Sequence, residues 1–204
     1  MAPAQWARAA DECLAPANAV VAENCQAGAP ATEWDVSGAG DPSIQGFATA
    51  ISVDQGERVA FKVDTGSTDY RIDIYRLGYY GGLGARKVAT VEPTASLPQV
   101  QPECAAIPGE SSVDCGSWAE SASWTVPADA VSGIYLARPV REDVAGDLAS
   151  HIVFVVRDDD GQSDLLFQTS DTTWQAYNRY GGSSLYDGPA HAHKGSYNRP
   201  FTTR

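Results

Sequence analysis

ERVAFKV at residues 57–63 and YRIDIYRL at residues 70–77 are the stretches that decide the fold. In the first, Val59, Phe61 and Val63 alternate with Arg58, Ala60 and Lys62. In the second, Tyr70, Ile72 and Ile74 alternate with Arg71, Asp73 and Tyr75. Successive side chains of an extended chain point to opposite faces, so a period of two marks a strand with one buried face. Outward from this pair the pattern repeats. Gly46–Val53 is a β-rich run closed by the turn residues Asp54, Gln55 and Gly56. The glycine-rich stretch Gly78–Gly84 turns the chain so that Lys87–Val91 can pair as a hairpin. Ser121–Val126, Ile134–Val140 and His151–Val156 follow. Short strands separated by turns at this spacing predict a mostly β chain, with an immunoglobulin-like antiparallel β-sandwich over residues 43–157. Pro127–Tyr135, reading PADAVSGIY, has the form of the lead-in to a tyrosine corner.

Around this sandwich lie three less regular regions. Residues 1–42, rich in Ala, Pro and Gly, predict an irregular arm with a short helical turn near Trp6–Glu12. Residues 92–117 form a long polar insertion of a kind uncommon in compact domains unless it is held. Past the acidic link Arg157–Ser163 comes the apolar run Leu165-Leu166-Phe167, then a helix on which Thr172 and Gln175 have capping-box spacing. Gly181-Gly182 is expected to stop that helix. Strand, loop and helix in this order predict the first unit of an α/β domain over residues 158–204, incomplete in this chain. Its exposed apolar residues would be held by other domains of a larger parent or by a second copy, as a homo-oligomer.

The four cysteines form two local pairs, Cys13 with Cys25 and Cys104 with Cys115. Neither has the C-x-x-C spacing of zinc or redox sites, so two short-range disulfides are expected, with four free thiols as the alternative. Closing loops of this size adds about 3 kcal/mol on the chain-entropy account. Disulfides place the chain in an oxidising compartment, secreted or in the cell envelope. Residues 1–11 lack the apolar core of a signal peptide, so export would rest on a removed leader or a larger parent. A net charge of −12 argues against nucleic acid and against anionic membrane surfaces as partners. No apolar run approaches the roughly 20 residues of a membrane span.

Several residues carry possible chemistry. Asp158, Asp160 and Asp164 form D-x-D-G-x-x-D, which could bind calcium through hard oxygens, but it lacks the final Glu of an EF-hand loop and an acidic interdomain turn is the better reading. His191 and His193 would share one side of a strand and could share a metal, or simply sit in a loop. No serine or cysteine lies in a G-x-S-x-G elbow. Tyr75, Tyr79, Tyr80 and Trp118 could present a flat aromatic surface to sugars or a protein, or fill the core.

Five stretches together resemble a known family: GFATAISVDQGERVAFKV (46–63), YRIDIYRLGYYGGLGARKVA (70–89), SGIYLARPVRE (132–142), HIVFVVRDDDGQSDLLFQTSDTTWQAYNRYGGSSLY (151–186) and SYNRPF (196–201). They are similar to the N,N-dimethylformamidase large-subunit family, and more closely to the domain of that name in large secreted bacterial proteins. The resemblance implies an immunoglobulin-like domain packed on a glutamine amidotransferase-like α/β domain. It also implies hydrolysis of the C–N bond of small amides at a mononuclear iron held by two tyrosines and one glutamate. By position, Tyr177 in AYNRYGG matches one tyrosine ligand and Tyr135 in SGIY the other; the glutamate would lie beyond Arg204. Phenolates and carboxylate are hard donors suited to ferric iron, which would polarise the amide and activate water. The competing readings are a tyrosine corner for Tyr135 and a packing contact for Tyr177. Lacking the glutamate, the chain by itself is expected to hydrolyse amides slowly. The rival function is a non-catalytic, secreted recognition module binding carbohydrate or protein at the cell surface.

Overall fold

The computed structural model of the chain describes residues 12–202. The helical turn expected near Trp6–Glu12 lies outside them except for Glu12, which is helical. Two short helices, α1 (Ala19–Asn24) and α2 (Ala31–Trp34), precede strands β1 (Ile44–Ala48), β2 (Ser52–Asp54), β3 (Arg58–Thr65), β4 (Tyr70–Leu77) and β5 (Ala85–Val91). Then come the short β6 (Ala105–Ala106) and β7 (Val113–Asp114), β8 (Ala122–Thr125), β9 (Gly133–Arg141), β10 (Ile152–Arg157) and helix α3 (Asp171–Tyr177).

The strands form two facing sheets, ordered β1-β3-β8 and β2-β10-β9-β4-β5, with β6-β7 as a separate hairpin. This is the immunoglobulin-like sandwich expected from the alternation. The single run Gly46–Val53 proves to be two strands. The chain pairs antiparallel with β3 through β1, leaves that sheet at residues 49–51, and pairs parallel with β10 through β2. One segment thereby covers an edge of each sheet, leaving fewer unpaired backbone groups than a single strand would.

Val59, Phe61, Val63, Tyr70, Ile72 and Ile74 are fully buried between the sheets. Four aromatic rings lock this layer. Phe61 meets Phe154 edge-on at 5.8 Å between centroids, Trp124 lies 5.9 Å from Tyr135 and 6.2 Å from Phe154, and Tyr135 lies 5.7 Å from Phe154. Burying such side chains contributes roughly 1.5–3 kcal/mol each. The Tyr135 hydroxyl donates to the Val131 carbonyl at 2.7 Å, closing the tyrosine corner. The same carbonyl accepts from Arg76 Nε at 3.2 Å, so both its lone pairs are used.

Alternation in YRIDIYRL predicts a solvated second face for β4, yet Asp73 and Tyr75 on that face are buried, as is Arg76 at the end of the inner one. The N-terminal arm reaches Tyr75, whose hydroxyl donates to the Glu33 carbonyl at 3.1 Å, and through Tyr80 and Glu23 it reaches Arg76, whereas the partners of Asp73 come from the sheet itself. Asp73 is neutralised by Lys87 at 2.6 Å and Arg71 at 3.1 Å, and accepts from Thr90 at 2.9 Å. Arg76 donates to the carbonyls of Leu77, Val131 and Ser132 and to the Tyr80 hydroxyl, which donates to Glu23 of α1 at 2.8 Å. Glu23 in turn forms a two-pronged pair with Arg86 at 2.7 and 3.0 Å. The Cys13–Cys25 disulfide joins the end of α1 to the chain before it.

The insertion at 92–117 is held by the expected Cys104–Cys115 disulfide and the β6–β7 pairing. Residues 178–202 lie against this hairpin. Cys115 N–H donates to the Asn198 carbonyl at 2.7 Å, Ser183 N–H to the Ser111 carbonyl at 3.1 Å, and Arg199 to the Ser112 hydroxyl at 2.9 Å. Gly181 is required here. Its φ is +82°, and an added Cβ would fall 2.2 Å from a Val113 methyl.

The expected strand at 165–167 does not form. Leu165, Leu166 and Phe167 are 89, 91 and 82% exposed in irregular chain, with no neighbouring strand to complete their hydrogen bonds. The capping box is absent as well. Helix α3 starts two residues earlier, at Asp171 with Ser170 at its N-cap, and Gln175 instead accepts from Asn178 Nδ2 at 3.2 Å in the last turn. The helix ends at Asn178, ahead of the two glycines, because that fully buried side chain is tied to the Pro200 carbonyl and to the N–H groups of Tyr180 and Thr202. Among the described residues no helix is long and apolar enough to cross a membrane.

Two substitutions should separate the corner from the core. Tyr135→Phe keeps the ring and removes one hydrogen bond, an expected loss of about 1 kcal/mol in urea unfolding. Phe154→Ala empties the centre of the aromatic cluster and should cost about 3–5 kcal/mol in the same measurement.

Candidate functional site

The pleat of β9 divides the molecule. Tyr135 points between the sheets, so its neighbours Ile134 and Leu136 point to the outer face of the five-stranded sheet. There, with Leu77 and Val153, they floor an open groove of about 590 Å³. Trp34 and Val36 of the arm form one side; Thr173, Trp174 and Tyr177 of α3 and Phe201 form the rest, with His151 at the rim. Trp34 is positioned by its indole N–H, which donates to the Leu83 carbonyl at 3.1 Å, and its own carbonyl lies 2.6 Å from His151 Nε2. Tyr177 is half exposed and stacks on Tyr186 with ring centroids 4.7 Å apart. A largely apolar concavity with a few polar groups at its rim is the ordinary form of a small-molecule site.

Tyr135 does not share this groove. It is 2% exposed, its hydroxyl proton is committed to Val131, and burial pushes its pKa up to about 12. It lies under the sheet and Tyr177 lies over it, so the two phenols implied as iron ligands by the resemblance do not converge. The corner, the competing reading of Tyr135, is what the geometry shows.

The remaining candidates stand apart from the groove. Asp158, Asp160 and Asp164 are exposed, and it is Asp159 between them that pairs with Arg157 at 2.9 Å. Among the described residues no three His, Cys, Asp or Glu side chains gather closely enough to hold a metal ion. The calcium expectation therefore finds an acidic turn, closed by a hydrogen bond from Gly161 N–H to the Asp158 carbonyl at 3.1 Å. His191 and His193 are exposed in loop, the latter 3.6 Å from Glu110. The flat aromatic surface is not present either. Tyr75, Tyr80 and Trp118 are buried, leaving only Tyr79 of that set exposed. Trp118 packs on Phe47 and Tyr180 and donates to the Pro102 carbonyl at 2.8 Å.

Sequence reasoning missed Trp34, which sits in an arm without periodicity, and the Tyr177–Tyr186 pair, whose members join only through the turn between them. It also missed Asn178 and Arg199, both buried. Their signal was present in YNRYGG and SYNRPF, as polar residues set among aromatics and glycines.

Apart from the side formed by Trp34 and Val36 of the arm, the residues that build this groove fall within a stretch, 71–204, that matches the family described as N,N-dimethylformamidase beta subunit-like, C-terminal. The chain belongs to that family. The dimethylformamidase-like match spans β4 to β10 and α3, hence the groove floor and its helical wall. No curated protein matches the chain. Among solved structures it is similar to an uncharacterized protein from Bacillus anthracis, at 11% identity and a TM-score of 0.35, covering 54% of this chain and 82% of that one. It is also similar to domain 1 of VCBP3 from Branchiostoma floridae, at 10% identity and a TM-score of 0.32, covering 57% and 95% respectively.

Burial pushes the phenols of Tyr70, Tyr75 and Tyr135 each to about 12. A raised native pKa contributes stability that is complete below the unfolded value of about 10 and lost as pH rises through the native one. The urea midpoint of this dimethylformamidase-like chain should therefore fall steadily between about pH 10 and 12, and Tyr135→Phe should make that fall shallower. A midpoint flat across the window would show that these phenols are accessible.

Proposed function

We propose that the chain is the sandwich portion of an amide (C–N) hydrolase of the N,N-dimethylformamidase type, and that the groove beside Tyr177 receives a small amide. The observation that carries this reading is the family match over residues 71–204, which contains the sheet face and helix that frame the groove. Apolar walls from Leu136, Val153 and Trp174 would take the alkyl groups of a substituted amide and keep water from them, while the hydroxyls of Thr173 and Tyr177 offer hydrogen bonds to its polar end. The iron implied by the family resemblance does not fit the described residues. Of the two tyrosines, only Tyr177 faces the groove, and no step is derived through a metal. The two disulfides favour an oxidising compartment, hence secretion or the cell envelope. Further domains of a larger parent would supply what this face lacks.

A second reading, a non-catalytic recognition module, is favoured by the stacked, solvent-facing Tyr177–Tyr186 pair, since exposed aromatics serve sugar and protein contacts.

Titrating N,N-dimethylformamide and formamide against tryptophan fluorescence should give saturable quenching. Thr173→Trp, which adds bulk to an exposed helical position on the groove wall, should abolish it without lowering the urea midpoint. Amine or ammonia release should be slow from this chain, with or without added ferric iron, and at least 100-fold faster from a longer parent that carries it. No saturable amide binding and no turnover by either protein would overturn the hydrolase reading. Saturable binding of an oligosaccharide, lost in Tyr186→Ala, would favour recognition instead.

A further inference from the structure

Among the described residues Arg199 is the largest fully buried side chain, 1% exposed, and no carboxylate pairs with it. Its Nε donates to the Ser196 carbonyl at 3.0 Å, and Nη1 to the Ser112 hydroxyl at 2.9 Å and the Tyr180 carbonyl at 3.0 Å. Nη2 reaches the Gln175 carbonyl at 3.3 Å. A guanidinium has five N–H donors, so one on Nη2 has no acceptor among the described residues. Every partner is neutral. A buried charge held only by neutral groups keeps most of its desolvation cost, and burial accordingly lowers the Arg199 pKa.

Beside this cation lies a recess of about 50 Å³ between the β1 end of the sandwich and the C-terminal segment. It is lined by Arg199, Gln175, Asn198, Tyr197, Thr49 and His151, together with apolar residues, and by no Asp or Glu. The carboxylates of this neighbourhood are engaged elsewhere, Asp171 with the Tyr197 hydroxyl at 2.8 Å and Asp114 with Ser196 and Asn198. Among the described residues the Gln175 side-chain amide N–H groups and the Thr49 hydroxyl have no acceptor, and both residues line the recess. A positively charged, acid-free pocket with spare donors is unexpected in a chain of net charge −12. A volume of this size exceeds the roughly 10–15 Å³ that one water needs and suits an occupant of a few heavy atoms at most.

We propose that this recess is a binding site for a small monovalent anion, of the size of formate or chloride, held by Arg199, Gln175 and Thr49 and balancing the buried guanidinium. The site adjoins the groove, sharing His151, Val153 and Phe201 with its lining, but does not depend on the hydrolase reading. It pins the segment carrying Tyr197–Phe201 to the sandwich, so occupancy is linked to folding.

The test is thermal unfolding of the full chain in sodium formate and in sodium chloride, each at constant ionic strength balanced with gluconate, which is too large to enter. A saturable rise in Tm is expected, about 5 °C at a hundredfold excess over Kd, and the two salts show which anion is preferred. Gln175→Glu is nearly isosteric, sits at the partly exposed end of α3, and still accepts from Asn178. It would supply the counter-charge internally, so it should raise Tm in gluconate alone and remove the response to formate and chloride. Equal Tm in all three salts would overturn the site, as would a response that survives in Gln175→Glu.

Discussion

The pleat of β9 is the constraint on which the rest depends. A strand cannot turn two adjacent side chains to the same face, so placing Tyr135 in the aromatic layer commits Ile134 and Leu136 to the other side. Most sandwiches leave such an outer face to water. Here it is covered at one end by the arm, where Ala29 and Trp34 pack with Tyr75, Ala85 and Leu136, and at the other by α3. The groove is the part of that face which neither cover closes. Slipping β9 by one residue would bury Ile134 and Leu136, expose Tyr135, and remove the groove floor and the tyrosine corner together.

Position alone does not keep α3 there. Seven residues are too few for a helix to be stable in water, so its place comes from what it is tied to. Asn178 and Arg199 gather the helix end, the 180 turn and the terminal strap into one knot, and that knot rests on the β6–β7 hairpin. The hairpin occupies an insertion that would otherwise be a long structureless loop, and the Cys104–Cys115 disulfide limits its freedom when unfolded. A covalent link far from Tyr177 in sequence therefore helps to set where Tyr177 stands.

How far this was legible in the sequence follows from the range of the interactions involved. Strands β3, β4, β5, β8, β9 and β10 announce themselves because alternation is a local property of one strand facing a core. The disulfides were legible because each joins cysteines close in sequence. The sheet switch within Gly46–Val53 was hidden, since β-rich composition is the same whichever sheet a residue joins. The second buried face of β4 was hidden because Asp73 reads as solvated until the neighbouring strand brings Lys87 and Thr90 to it, and Tyr75 until the arm covers it. Tyr135 shows the limit most clearly. The motif SGIY carried both a corner and a ligand reading, and only the facing of the strand separated them. The residues of 165–167 read as a strand by composition, yet composition cannot provide the neighbour that a strand needs.

The two cavities differ in kind because of what lies beneath them. The groove sits on a hydrogen-bonded sheet whose polar backbone is already satisfied, so its floor offers only carbon, and selectivity there must come from fit and from the few hydroxyls at its edge. The recess sits where irregular chain from 195–201 meets the end of a strand. Irregular backbone presents carbonyls in directions no ladder uses, and two of them, at Tyr180 and Ser196, converge on Arg199 with the Gln175 carbonyl from the last turn of α3. An arginine suits that junction because its planar fork can satisfy several carbonyls at once. It brings with it a full positive charge that carbonyl dipoles only partly offset, and so the same residue that closes the strap also leaves an electrostatic demand beside it. An apolar residue of similar volume would remove that demand, but it would strand the Tyr180 and Ser196 carbonyls, at about 1–3 kcal/mol for each that stayed buried, while that of Gln175 would keep the Asn178 N–H.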